Sequence, residues 1–378
     1  MPALDPLDHP TLPTGITARF VPGVNGLDMH VLECGERGRP CLLLLHGFPE
    51  LAYSWRKVMP MLAEAGYYVI APDQRGYGRT TGWDNRYDAD LAEFRPFNLV
   101  RDVIGLVHAL GIREVASLIG HDFGATVTAF GTLLRPDLFR SMILMSAPFS
   151  GPPAIRPGAG PKGPSIHETL AALSRPRKHY QAYYCTREAD PNMHGASQGV
   201  HAFLRAYFHH KSADWKANKP YRLAGWTADE LAKMPTYYVM DLVDGMAETV
   251  AKEMPSEAEI AACDWMPEAE MGVFSQEYGR TTFQGGLNWY RARVEPRFQP
   301  ELELLSGRTI DIPSCFIAGR SDWGIYQVPG AIERMQKEAC TRMRAVHLVE
   351  GAGHWVQQER PEETARHILA FLSENRGQ

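Results

Sequence analysis

Val115-Ala116-Ser117-Leu118-Ile119 runs without a break into Gly120-His121-Asp122-Phe123-Gly124, and Ala125-Thr126 follow. The first five residues read as a buried strand, and Gly124 to Leu134 reads as a helix. An apolar strand that meets Gly-x-Asp-x-Gly and passes at once into a helix describes a sharp elbow. Small residues on either side of Asp122 let the chain make a strained turn and bring the helix close to the strand. The turn projects Asp122 from the carboxyl end of its strand, where open α/β sheets place their sites. A plain helix N-cap is the competing reading of such an aspartate. Both flanking glycines and the strand favour the elbow.

The same rhythm extends upstream. Cys41-Leu42-Leu43-Leu44-Leu45 is a short apolar run ending in His46-Gly47-Phe48-Pro49, and Tyr67-Tyr68-Val69-Ile70-Ala71 ends in Pro72-Asp73. Runs of this kind fit strands buried on both faces of a parallel sheet. Between them, residues 55–65 look helical, with Val58, Met61, Leu62 and Ala65 on one side and Gly66 as the stop. Leu99, Val100, Val103, Ile104, Val107 and Leu110 fall at helical spacing. Ser141 to Ser146 reads as another strand. Near the start, Phe20-Val21 and Met29-His30-Val31-Leu32 flank Gly23-Val24-Asn25-Gly26, which predicts a hairpin.

Downstream, the rhythm stops at Pro148. Residues 149–165 are rich in proline and glycine, a linker composition. From there to about residue 300 the text is helical and aromatic, and Thr227-Ala228-Asp229-Glu230 has the form of a capping box. Strand and helix alternate again over 314–318, 329–337, 345–349 and 361–374. The expected fold class is α/β: a mostly parallel sheet with helices on both faces, interrupted by a mainly helical cap of about 150 residues. The division reads as a first core part over 1–148, a cap over 149–304 and a second core part over 305–378.

The chain has 378 residues, 44% hydrophobic and 22% charged, which excludes disorder as the main state. A net charge of −5 leaves no basic footprint for nucleic acid. No apolar run is long enough for a spanning helix, and the first residues carry no basic-then-apolar leader. Six cysteines without a Cys-x-x-Cys pair read as reduced thiols of a cytoplasmic protein.

Three motif matches fail their context. Gly158-Ala159-Gly160-Pro161-Lys162-Gly163 fits a dinucleotide fingerprint but lacks the preceding strand. Gly195-Ala196-Ser197-Gln198-Gly199 fits a serine elbow, yet Ala189 to His194 cannot be the buried strand that it needs. His209-His210 has no second ligand pair, so no metal site is expected. The Asp122 elbow, by contrast, finds its two helpers in the required order of nucleophile, acid and histidine. Strand 314–318 ends in Gly319-Arg320-Ser321-Asp322, and strand 345–349 ends in Glu350-Gly351-Ala352-Gly353-His354. Attack by a carboxylate on an ester would give an anhydride, whereas attack on saturated carbon gives an alkyl ester that water can hydrolyse. The expected substrate therefore carries an epoxide oxygen or a halide on sp³ carbon.

These stretches resemble the α/β hydrolase fold and, within it, the epoxide hydrolases. The resemblance rests on His46-Gly47-Phe48-Pro49-Glu50 with Tyr53-Ser54-Trp55-Arg56, on Asp73-Gln74-Arg75-Gly76-Tyr77-Gly78, and on Gly120 to Gly124. Asn288-Trp289-Tyr290-Arg291 and Gly351-Ala352-Gly353-His354-Trp355 complete it. It implies opening of an epoxide by water through an ester on Asp122, with His354 as base held by Asp322. It implies an oxyanion hole from the backbone N–H groups of Phe48 and Phe123, and substrate contacts from Phe48, Pro49, Trp289 and Trp355. Tyr290 and Tyr180 would protonate the opening oxygen, with Tyr183 and Tyr184 as alternatives to Tyr180. It implies no cofactor and no metal. The expected partners are a small epoxide and water, and the chain would be a monomer or homodimer. A dehalogenase with the same aspartate is the alternative, although Phe123 stands where haloalkane dehalogenases carry tryptophan and fluoroacetate dehalogenases carry arginine. A non-catalytic binding protein on this fold is the third reading.

Overall fold

Ten strands form in chain order: β1 (Ile16–Val24), β2 (Leu27–Cys34), β3 (Cys41–Leu45), β4 (Tyr68–Pro72), β5 (Val115–His121), β6 (Met142–Met145), β7 (Arg177–His179), β8 (Val239–Asp241), β9 (Ser314–Gly319) and β10 (Met343–Val349). This computed structural model describes residues 4–155 and 163–375. The dinucleotide-like stretch 158–163 lies outside the described residues except for Gly163.

Eight strands make one sheet in the order β1-β2-β4-β3-β5-β6-β9-β10. The hairpin β1–β2 is antiparallel, and β2 meets β4 antiparallel. From β4 to β10 every neighbouring pair is parallel. The carboxyl ends of β3, β5, β6, β9 and β10 therefore share one edge of the sheet.

The apolar runs are continuous because both faces are covered. Leu43, Leu45, Leu118, Leu144 and Phe316 belong to one apolar cluster, while Leu42, Leu44, Ile119, Ile143, Cys315 and Ile317 belong to another on the opposite face. The helices Pro96–Ala109 and Phe123–Leu134 contribute to the first cluster, and Met59–Glu64 and Pro361–Glu374 to the second. The helix expected over 55–65 is shorter than its pattern. Pro60 is tolerated only in a first turn, so the helix begins at Met59, and a 3₁₀ turn, Ala52–Trp55, precedes it. The expected helix over 329–337 is a single turn, Ala331–Arg334, that widens into a π-helical turn, Met335–Ala339.

Between β6 and β9 the chain is mainly helical, as its composition predicts, with one addition. β7 and β8 pair antiparallel as a small second sheet; three-residue strands are too short to show a period. The helix Ala228–Leu231 forms, but its capping box does not close. Thr227 makes no side-chain cap, and Glu230 instead accepts from the Ala224 N–H at 2.9 Å and pairs with Lys233.

The cap packs onto the carboxyl edge of the main sheet, and its aromatic residues join the first apolar cluster. The helix Gln284–Val294 passes the loop after β4 backbone to backbone: a Cβ on Gly285 would lie 2.1 Å from the Gly76 carbonyl oxygen. Among the described residues no helix is long and apolar enough to cross a membrane.

Candidate active site

Asp122 stands between β5 and the helix Phe123–Leu134 with φ 52° and ψ −117°, a left-handed conformation that a non-glycine residue holds only under constraint. The constraint is packing. A Cβ on Gly120 would lie 2.3 Å from the Gly124 carbonyl oxygen, and one on Gly124 would lie 2.4 Å from the Leu45 carbonyl oxygen. The elbow therefore closes only with glycine at both positions. It also leaves the Phe123 N–H in the first helical turn, where no intrahelical acceptor exists.

The loop after β3 approaches from the side. The Phe48 N–H donates to Asp122 Oδ1 at 3.1 Å. A side chain on Gly47 would collide with Asp122, its Cβ only 2.3 Å from that of Asp122. Phe48 and Pro49 are buried.

His354, after β10, points Nε2 at Asp122 Oδ2 across 3.4 Å. That separation allows charge pairing, but Nε2 has no formed hydrogen bond. Nδ1 faces both oxygens of Asp322 at 3.1 and 3.2 Å. Because the carboxylate only accepts, Nδ1 is the donor in this contact, which turns Nε2 toward Asp122. Asp322 is itself held by the Gly324 N–H at 2.7 Å. Burial opposes the charge on both aspartates. Contact with His354 nonetheless keeps both carboxyls below their ordinary range, with Lys211 and His121 adding to the effect at Asp122.

Tyr290 and Tyr180 come down from the cap. The Tyr290 ring sits edge-on to Phe123 and Tyr184 with centroids 5.1 Å away, and 5.7 Å from Phe48. Its hydroxyl makes no hydrogen bond among the described residues. The Tyr180 ring lies 6.1 Å from that of Tyr290. Its hydroxyl accepts from Gln181 at 3.0 Å and donates to Gln327 at 3.3 Å. Burial and the Asp122 charge push both phenols above their ordinary pKa. Tyr183 turns instead to Asn192 at 2.8 Å, and Tyr184 meets the Tyr207 hydroxyl at 3.1 Å.

The indole N–H of Trp289 donates to the Arg75 carbonyl at 2.8 Å, and that of Trp355 donates to the Phe208 carbonyl at 2.8 Å. Both indoles thus tie core to cap. Ser197 lies exposed between two helices, far from any strand-to-helix elbow. His210 is buried edge-on against Trp215 and Tyr237.

Residues 40–178 match a family model described as the alpha/beta hydrolase fold. Epoxide hydrolase A of Mycobacterium tuberculosis is 33% identical over 360 residues, spanning 94% of this chain and 97% of its own. The chain belongs to the epoxide hydrolase family. An epoxide hydrolase of Caballeronia sordidicola is 30% identical over 95% of this chain and 94% of its own. Among solved structures of the family, an epoxide hydrolase from an endophytic Streptomyces superposes with a TM-score of 0.77 at 28% identity, covering 96% of this chain and 97% of that one. Potato (Solanum tuberosum) epoxide hydrolase I superposes with a TM-score of 0.73 at 29% identity, covering 95% and 99%.

Sequence reading alone passes over several site groups that this member of the epoxide hydrolase family carries. His121, inside the elbow, donates Nε2–H to the His354 carbonyl at 2.7 Å and bonds Glu50 through Nδ1. Both ring nitrogens therefore donate, which makes the ring a cation. Burial disfavours that charge, but the Glu50 carboxylate overcomes it and raises the imidazole pKa. Glu50 also accepts from the Gly47 N–H at 3.1 Å and from the Gln357 amide at 2.8 Å. Glu359 accepts from Gly353 and Trp355, the two neighbours of His354, both at 2.9 Å, and from Ala213 in the cap at 2.8 Å. The His354 N–H itself donates to the Lys211 carbonyl at 2.9 Å. The loop after β10 is thus stitched to cap segment 211–213. A buried acid inside the motif, Glu50, was the one signal of these contacts present in the sequence.

Proposed function

We propose that the chain opens epoxides with water to vicinal diols through an ester on Asp122. The observation that carries this reading is the placement of a carboxylate on a glycine elbow beneath two buried phenols, with His354 and Asp322 behind it. Asp122 Oδ2 attacks a ring carbon, the C–O bond breaks, and its electron pair goes to the ring oxygen. A phenol proton from Tyr290 or Tyr180 neutralises that oxygen. His354 Nε2 then takes a proton from water, the resulting hydroxide adds to Cγ of Asp122, and Oδ1 becomes the oxyanion. The N–H groups of Phe48 and Phe123 stabilise it, a contribution of roughly 10²–10³ in rate per donor. Collapse expels the diol and restores the carboxylate, and the proton on His354 returns to the phenolate. No cofactor enters the scheme.

A halide would need N–H donors at the leaving group. The phenyl rings of Phe48 and Phe123 supply none, and the indole N–H groups of Trp289 and Trp355 are engaged by carbonyls. This supports the epoxide over the carbon–halogen substrate. The same engagement supports Trp289 and Trp355 as braces of the pocket wall, with Phe48 and Pro49 as its substrate-facing surface. The functional division is a core over 1–148 and 305–378 and a cap over 149–304. All six cysteines are free thiols, four of them buried, which supports a reducing, cytoplasmic setting.

The test is intact-mass measurement of His354→Gln mixed with an epoxide. A gain equal to the whole epoxide is expected, because ring opening expels nothing. A haloalkane adduct would lack its halogen. Absence of any adduct, together with activity in Asp122→Ala, would remove Asp122 from the reaction.

A further inference from the structure

Lys211 ends the cap helix Gly199–Lys211, and its side chain is almost wholly buried. Its ammonium lies 5.1 Å from the ring centre of Tyr238, 5.3 Å from Trp355, 5.4 Å from Tyr207 and 5.9 Å from Tyr237. Among the described residues it has no hydrogen bond and no carboxylate within ion-pair distance. The charges that act on it are those of Asp122, Asp322 and Glu50, in that order. Its carbonyl accepts from the His354 N–H at 2.9 Å, so Lys211 belongs to the active site. Burial lowers its pKa, as expected for a cation taken out of water with ring faces but no hydrogen-bond acceptor against it.

A second polar group nearby is also unpaired. The Tyr238 hydroxyl is buried without a hydrogen bond, and its ring lies 5.2 Å from that of Tyr180. The hydroxyls of Tyr207 and Tyr237 are taken by Tyr184 and Asn218. Buried donors in folded proteins are almost always satisfied. The Lys211 ammonium and the Tyr238 hydroxyl, two donors in one wall of aromatic rings that continues to Tyr180, are left without an acceptor oxygen among the described residues.

We infer that Lys211, assisted by Tyr238, is a specificity-determining residue that donates to an uncharged oxygen on the substituent of the epoxide, an ether, ester or amide oxygen. This rests on the epoxide-opening reading above. Charge decides between a neutral oxygen and a carboxylate. Asp122, Asp322 and Glu50 all keep their carboxyls below the ordinary range, so three anions already act on Lys211. A substrate carboxylate would add a fourth negative charge to this buried site. A neutral acceptor satisfies the donors without that penalty.

The experiment compares kcat/KM for three classes of epoxide of equal chain length: an epoxyalkane, ethers and esters of it with the oxygen stepped along the chain, and an ω-carboxylate. Wild type should prefer the best oxygen-bearing substrate to the alkane by about 10–100-fold, the scale of a hydrogen bond to a charged donor. In Lys211→Met, whose side chain keeps the length and the packing against the rings, that ratio should fall to near one. In Tyr238→Phe it should fall by a smaller factor, and this mild variant keeps the test open if Lys211→Met does not fold. Equal values for ether and alkane in wild type, a ratio unchanged by both variants, or a preference for the carboxylate would each overturn the inference. Failure of wild type to turn over any of the three would instead strike at the epoxide reading itself.

Discussion

Replacing Tyr290 or Tyr180 by Phe removes one hydroxyl from each phenol, yet the two changes should separate rate from stability differently. The Tyr290 ring is held by rings on several sides at 5.1–6.1 Å, and all of those contacts survive in Phe. Its hydroxyl bonds no protein group among the described residues, so Tyr290→Phe removes no hydrogen bond and should leave stability close to that of wild type. Its whole effect should fall on alkylation. Loss of one proton or oxyanion donor slows that step by roughly 10–10³, or about 1.4–4 kcal/mol of barrier. Tyr180 differs, because its hydroxyl joins Gln181 and Gln327. Tyr180→Phe leaves both amides short of a partner, at a cost of about 1–2 kcal/mol. For a chain of this size that lowers the melting temperature by roughly 1–3 °C. Its alkylation should also slow. Single-turnover mixing with excess enzyme resolves ester formation, and thermal unfolding of the same samples reads stability. In the double variant alkylation should nearly vanish, while ester already formed still hydrolyses. Normal alkylation by Tyr290→Phe would refute the phenol role and return the leaving group to a halide or to another acid in the cap.

Asp322→Ala should slow ester hydrolysis by roughly 10²–10⁴, the range seen when a histidine loses the carboxylate that sets its tautomer, while ester formation changes far less. Pre-steady-state kinetics separates the phases, and an unchanged hydrolysis phase would assign the role to another acid. Gly353→Ala forces a Cβ to within 2.5–2.6 Å of backbone atoms of Lys211, Ser212 and Ala213. It should cost about 1–3 kcal/mol and slow hydrolysis more than alkylation, because the stitch between His354 and the cap opens; equal slowing of both phases would contradict it. Burial pushes Glu359 up to about 7, against its three N–H donors, from an ordinary value of 4.5. Its folded form thus binds the proton more tightly than the unfolded chain. The resulting stability is present in full below about pH 4.5 and is lost as pH rises through about 7, a change of about 3 kcal/mol at most. Denaturant titrations from pH 5 to 8 should show wild type losing stability relative to Glu359→Gln, and a constant difference would refute the shift.

The core and the elbow were legible in the sequence because their causes are local. Cys41–Leu45 and Val115–Ile119 are apolar throughout because both faces of a central strand are covered, and that requirement is written residue by residue. Gly120 and Gly124 flag the elbow because no side chain fits between β5, the helix and the end of β3. Asp322 and His354 could be placed after their strands for the same reason: each strand names its own carboxyl end. Where local signals competed with packing they misled. Thr227 and Glu230 have capping-box spacing, but Glu230 found the Ala224 N–H instead. For Trp289 and Trp355 the fold adds what the sequence does not carry, N–H groups bound to carbonyls 214 and 147 residues away. What tertiary structure alone decided is the chemistry of the buried charges. No motif in the sequence singles out Lys211 or Glu359. Neither spacing nor composition reports that one ends in a cage of rings beside Asp122 and the other grips both neighbours of His354. Those properties arise from desolvation and from contacts between distant segments, and they exist only once the cap has closed over the sheet.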